Sequence, residues 1–122
     1  MAMDSTEPRI TLHPHDRRVR VVIDGTLIAD TTCATELRER GYPPRQYLPR
    51  DDVRMERLTP SDTLTHCPFK GDAVYFSFGE HQDVAWSYQQ PEEGMEAIAG
   101  RLAFYGGEWM RVVDPKRLCQ QR

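Results

Sequence analysis

Apolar and polar residues alternate along two stretches of the chain, and each alternation predicts paired strands. Val19, Val21 and Ile23 alternate with Arg18, Arg20 and Val22, the period of two that sets one face of a strand against a core. Asp24-Gly25 follows directly, then Thr26-Leu27-Ile28-Ala29. Asp-Gly between two apolar runs suits a type I′ turn, whose two central residues need positive φ, so 19–29 reads as a β-hairpin. The pattern recurs at 73–78, with Val74, Phe76 and Phe78 on one face and Ala73, Tyr75 and Ser77 on the other. Val84, Trp86 and Tyr88 share a face of the partner strand, and 72–88 reads as a second hairpin.

The remaining segments are less periodic. Residues 31–40 fit either a short helix capped by Thr31 or Thr32 or a strand, and Gly41-Tyr42-Pro43-Pro44 ends the element in both cases. Gln46-Tyr47-Leu48 reads as a short extended piece, and 50–58 as one helical turn running into a strand. Pro60-Ser61-Asp62 reads as a turn and 63–71 as a loop. Pro91-Glu92-Glu93 suits the start of a short helix ending at Gly100, with Met95, Ile98 and Ala99 facing the core. Residues 102–105 and 110–113 read as strands flanking a Gly106-Gly107 turn. The expected fold is mainly β, a small single domain of about six to eight short strands in hairpins with one or two short helices. Its expected bounds are 9–114, between a flexible lead-in at 1–8 and a tail at 115–122.

Composition narrows the function classes. With 39% hydrophobic residues in 122, the chain has enough apolar material for one core. A net charge of −3 makes a nucleic-acid partner unexpected, and no apolar run reaches the ~18 residues of a membrane span. No secretory leader is expected from residues 1–8. Cys33, Cys67 and Cys119 are odd in number and hold no Cys-x-x-Cys pair, so neither a disulfide framework nor a zinc or other metal site is expected. No cofactor is implied, and the cysteine usage suggests a reducing, cytoplasmic setting. His13 and His15, flanking Pro14, are expected in solvent.

Several stretches in this order carry a resemblance. They include Gly41-Tyr42-Pro43-Pro44, Tyr47-Leu48-Pro49-Arg50-Asp51-Asp52-Val53 and Thr65-His66-Cys67-Pro68-Phe69-Lys70-Gly71. Ala85-Trp86-Ser87-Tyr88, Ile98-Ala99-Gly100 and Ala103-Phe104-Tyr105 follow. Over residues 17–106 the chain resembles the family catalogued as domain of unknown function 427, which also carries a nucleotidyltransferase-like label. The resemblance implies a small β-rich domain and no settled activity. The residues themselves do not favour nucleotidyl transfer, which uses converging carboxylates on divalent metals beside a phosphate-cradling turn. No Gly-Ser dipeptide occurs, Asp51 and Asp52 are adjacent and would point to opposite faces of a strand, and Lys70-Gly71 lacks the P-loop pattern.

The candidate ligand-binding residues are Tyr47, Arg50, Thr65, Cys67, Lys70, Tyr75, Trp86 and Tyr88. Lys70 and Arg50 are expected to face one polar cavity walled by Trp86 or Tyr88, taking an anionic small molecule. Each residue also has a plain structural use. Cys67 fits a small buried residue before a Cys-Pro turn, Lys70 a solvated turn residue, and Arg50 a partner for Asp51, Asp52 or Glu56. The aromatics fit a core, or the interface of an interaction module or homodimer. Whether any reaction is catalysed stays open at this level.

Overall fold

The computed structural model describes residues 9–15, 17–105 and 109–113. Among them ten strands form two antiparallel sheets, with three single 3-10 turns and no α-helix. The first strands are β1 (Ile10–His15), β2 (Arg18–Ile23), β3 (Thr26–Thr31), β4 (Ala34–Glu39) and β5 (Arg45–Leu48). After two 3-10 turns come β6 (Thr59–Cys67), β7 (Gly71–Phe78) and β8 (His81–Tyr88). The last are β9 (Leu102–Phe104) and β10 (Met110–Val113). The larger sheet has the order β1-β4-β5-β9-β8-β7-β6, and the smaller has the order β10-β2-β3.

The first hairpin forms where the alternation predicts it. Asp24 and Gly25 take φ of 51° and 78°, the left-handed pair that a type I′ turn demands. Val19, Val21 and Ile23 are fully buried. They form one core with Leu48, Phe76, Ala85, Leu102 and Phe104, so the small sheet packs on one face of the large one. The period of two sends the intervening residues of the large sheet to its other face. There Tyr47, Ala73, Trp86, Tyr88 and Ala103 form a second cluster with Leu37 and Ile98. Both faces of the large sheet are thus apolar, and the second face carries the site. No helix among the described residues is long and apolar enough to cross a membrane.

Several local expectations are corrected. Residues 31–40, open between helix and strand in the sequence, take the strand form: Thr31 ends β3 and Ala34–Glu39 is β4. The stretch 59–67, expected as turn and loop, is the edge strand β6. Its side chains are mostly exposed, which removes the apolar alternation that marks a half-buried strand, and Pro60 sits beside a register shift between Pro60 and Leu64. The expected helix at 91–100 is only one 3-10 turn, Glu96–Ile98, because Gly94 takes φ of 93° and breaks the path. Ile98 is buried there, but Ala99 is exposed. Residues 50–58 make two 3-10 turns, Arg50–Asp52 and Met55–Arg57, joined through Val53, which bridges to Ala29.

Val84 packs in the first core while Trp86 and Tyr88 pack in the second, because Asp83 at φ 56° and a register shift between Phe76 and Phe78 twist the start of β8. His13 and His15 lie on β1, where His15 Nδ1 is 2.8 Å from Gln46 Oε1. Cys33 is disulfide-bonded and Cys67 is a free thiol. That bond corrects the expectation drawn from cysteine number, which therefore no longer argues for a reducing compartment. The lead-in at 1–8, the Gly106-Gly107 turn, Cys119 and the tail at 115–122 lie outside the described residues.

One ion pair on the outer face of the small sheet gives a pH-dependent expectation. Arg18 donates from Nε and Nη2 to the two oxygens of Asp30, both at 2.8 Å. Those bonds hold the Asp30 carboxyl below its ordinary pKa, against partial desolvation. A depressed folded pKa means the stabilisation is present above the unfolded value and is lost as pH falls through the folded one. Asp30→Asn should therefore lower the unfolding free energy at neutral pH, by about 1 kcal/mol at most given solvent screening. The difference should shrink to nothing in strong acid. Urea titrations of both chains across pH check this, and an acid-independent difference contradicts it.

Candidate functional site

The site is built from pairs across the second face of the large sheet. Tyr47 on β5 stands opposite Ala103 on β9, Ala103 opposite Trp86 on β8, and Trp86 opposite Tyr75 on β7. Ala73 stands opposite Tyr88 in the same way. Directly paired residues share a face, so the alanines stand beside large rings, and Trp86 and Tyr75 stand ring beside ring. The rings rise around a cavity of about 370 Å³. That is the space of about a dozen water molecules, at roughly 30 Å³ each. All five tyrosines of the sequence line it, with Trp86, Cys67 and the polar residues Glu39, Arg45 and Lys70.

Burial sets the chemistry of the phenols. It pushes Tyr47 up to about 12 and raises Tyr88 and Tyr105 as well, so all three stay protonated at neutral pH. The Trp86 indole Nε1–H donates to the Tyr47 oxygen at 3.1 Å. An indole can only donate, so Tyr47 keeps its own O–H free to donate. Tyr88 is 7% exposed, and its hydroxyl has no hydrogen-bond partner among the described residues. The Tyr47 and Tyr88 hydroxyls are therefore both available to donate into the cavity.

Two cations border the cavity in different states. Lys70 donates to Glu39 Oε1 at 2.7 Å, and their side chains are 12% and 9% exposed. Arg9 approaches the other oxygen of Glu39 at 3.4 Å. Lys70 sits on the tight turn between β6 and β7, closed by its N–H donating to the Cys67 carbonyl. Gly71 follows at φ 114°, where a Cβ would stand 3.3 Å from the Gln90 carbonyl oxygen. Arg45 is half-buried, with its guanidinium 5.5 Å from the Trp86 ring centroid and 5.7 Å from that of Tyr105. Among the described residues no carboxylate lies within ion-pair distance of it.

Six of the eight residues singled out in the sequence meet at this cavity: Tyr47, Cys67, Lys70, Tyr75, Trp86 and Tyr88. Thr65 does not line it but stands behind it, its hydroxyl 3.1 Å from the Tyr75 hydroxyl. Arg50 is elsewhere, donating to the Gly100 carbonyl at 3.1 Å with its guanidinium over Phe76 of the first core. The shared Lys70–Arg50 cavity is thus corrected. Strand β5 ends at Leu48, and the 3-10 turn beginning at Arg50 carries that side chain to the opposite face. Arg45, two residues before Tyr47 on the same strand, takes the cavity position instead, because β5 starts one residue earlier than the extended piece read at Gln46. Leu37, Glu39, Tyr42, Pro43 and Tyr105 were also missed.

Lys70 is not the solvated turn residue that its sequence context allows. Its removal leaves Glu39 buried with only Arg9, so Lys70→Ala should cost about 1–3 kcal/mol of stability. Denaturant unfolding checks this, and a cost near zero contradicts it. Asp51 is exposed and Asp52 accepts the Thr31 hydroxyl at 2.7 Å, both on the 3-10 turn away from the cavity. Among the described residues, no group of three or more His, Cys, Asp or Glu side chains is gathered as a metal site would need.

No curated protein matches the chain. The family model described as a domain of unknown function (DUF427), labelled NTP_transf_9, matches residues 11–115. That span takes in every strand but the first residue of β1, and all the residues that line the cavity. The chain belongs to the DUF427 family.

Proposed function

We propose that the tyrosine-lined cavity binds a small organic anion, with its charge held by Arg45. The observation that carries this reading is the half-buried guanidinium, with no carboxylate at ion-pair distance among the described residues, in the wall of a concave space lined by tyrosines. A partly desolvated cation is stabilised by a matching anion, and a carboxylate or phosphate fits the guanidinium fork. The neutral phenols of Tyr47 and Tyr88 add hydrogen bonds to acceptor oxygens. The rings offer flat apolar surface to the rest of the ligand. The cavity volume favours a molecule with one ring or a short chain over a large one.

The aromatics fit a binding wall better than a dimer interface. They line a concave space rather than a flat patch, and Tyr47, Trp86 and Tyr88, 1–7% exposed, are reached from within the cavity. A thermal-shift panel of small carboxylates, sugar phosphates and nucleotides tests the reading. A ligand present at a hundred times its Kd should add about 2.7 kcal/mol and raise the midpoint measurably. A panel of anions that leaves the midpoint unchanged, at concentrations far above the micromolar range, would count against it.

A further inference from the structure

We infer that the ligand of the cavity is a small aromatic monocarboxylate, taken in preference to phosphate esters. The inference rests on the anion-binding reading and narrows it through the net charge of the wall and its rings. Among the described residues, the charged side chains of the lining are Arg45, Lys70 and Glu39. Lys70 and Glu39 are joined at 2.7 Å and cancel, so the net charge facing the space is the single positive charge of Arg45. Glu39 also stands near that charge. Leu37 on β4 is paired with Arg45 on β5, and Glu39, two residues along β4, is the diagonal neighbour on the same face. Both charges reach the Tyr47 hydroxyl, on which Arg45 and Glu39 act with opposite sign. A ligand with one negative charge is matched by Arg45. The second charge of a phosphate ester finds no partner, is partly desolvated, and meets the Glu39 carboxylate.

The five tyrosines and Trp86 make most of the remaining wall. Trp86 lies 4.7 Å from Tyr105 at 54° and 6.5 Å from Tyr75 at 38°, so rings are presented at several tilts. A flat ring makes offset and edge-on contacts with such a wall, and it has no internal rotations to give up. The Arg45 guanidinium lies over two of these rings and makes no hydrogen bond among the described residues. Ring contacts engage its charge and leave N–H donors for the two oxygens of a carboxylate. One ring with its carboxylate satisfies both features and fits within about 370 Å³.

Probes of similar size separate ring, charge and number of charges: benzoate, cyclohexanecarboxylate, benzamide, phenyl phosphate and benzenesulfonate. Calorimetric titration of the full chain is run at slightly alkaline pH, where a phosphate ester with a second pKa of about 6 is a dianion. Benzoate should bind about tenfold tighter than benzamide or phenyl phosphate. It should bind about three- to tenfold tighter than cyclohexanecarboxylate, which has its charge but no aromatic ring. Glu39→Gln removes the opposing charge and should close most of the gap between phenyl phosphate and benzoate. Should that chain fail to fold, benzenesulfonate makes the same separation in the unaltered one. It has a tetrahedral head with a single charge, and its affinity should lie nearer to benzoate than to phenyl phosphate.

Phenyl phosphate or cyclohexanecarboxylate bound as tightly as benzoate overturns the inference. So does a phosphate gap unchanged in Glu39→Gln, or benzenesulfonate as weak as phenyl phosphate. Failure of the underlying reading looks different. If any of these results comes with anion binding that Arg45→Ala weakens, the anion-binding reading stands and only the ligand class falls. If Arg45→Ala leaves binding unchanged, benzamide matches benzoate, or no anion saturates in the millimolar range, both fall.

Discussion

Tyr47→Ala should lose about 3–5 kcal/mol of folding stability, the range for truncating a large buried ring. Tyr47 is 1% exposed and central to the second apolar cluster, where its ring lies 6.5 Å from Trp86 in an edge-to-face contact and 6.4 Å from Tyr88. Truncation removes the ring's burial and the acceptor of the Trp86 indole N–H together. Tyr47→Phe separates the two. It keeps the ring and should cost about 1–3 kcal/mol, because the buried indole N–H is left unsatisfied. Urea unfolding of the three chains measures both. A Tyr47→Ala cost below about 1 kcal/mol would mean that this face is not packed as described.

Arg45→Ala should separate binding from folding. Removal of the guanidinium loses two ring contacts, each worth about 0.5–1 kcal/mol at a partly exposed site. No ion pair is broken among the described residues. A small anion that depends on that group should bind weaker by about 1.5–3 kcal/mol, or roughly ten- to a hundredfold. Lys70→Ala should show the reverse balance, since Lys70 is already committed to Glu39. Calorimetric titration with whichever anion raises the midpoint most reads the difference. An Arg45→Ala chain that binds as tightly as the unaltered one removes the guanidinium from the site.

The parts of the fold legible in the sequence are those where burial imposes a period. Val19, Val21 and Ile23 face one core, and Asp24-Gly25 is one of the few residue pairs that a tight hairpin turn accepts at low cost. Tyr75 and Trp86 were readable as neighbours for the same reason, and they are directly paired. Edge strand β6 was not readable, because its exposed side chains leave no alternation to detect. The 91–100 segment misled through its proline and acids, which suit a helix start, while Gly94 redirects the chain.

Within the site, aromatic residues announce themselves in a sequence and cations do not. Arg50 drew attention from its neighbours Tyr47, Leu48 and Pro49, yet the strand ends before it. Arg45 sits among Gly41, Tyr42, Pro43 and Pro44, where it reads as a loop residue, and only its pairing with Leu37 shows that it is already on β5. Tyr42, on the loop between β4 and β5, and Tyr105, beyond the end of β9, reach the cavity only through the fold.

The indole N–H resonances report directly on where an anion binds. The chain has two tryptophans, and they occupy different environments. Trp86 lines the cavity and donates to Tyr47, whereas Trp109 packs against the first core with its ring 5.5 Å from His81. Trp109→Phe assigns the two signals in a proton–nitrogen correlation spectrum. Titration with the anion that most raises the thermal midpoint should shift the Trp86 indole signal saturably, with the same Kd as calorimetry, and leave that of Trp109 in place. Movement of the Trp109 signal alone, or of neither while the midpoint still rises, would place the anion outside the tyrosine-lined cavity and contradict the assignment.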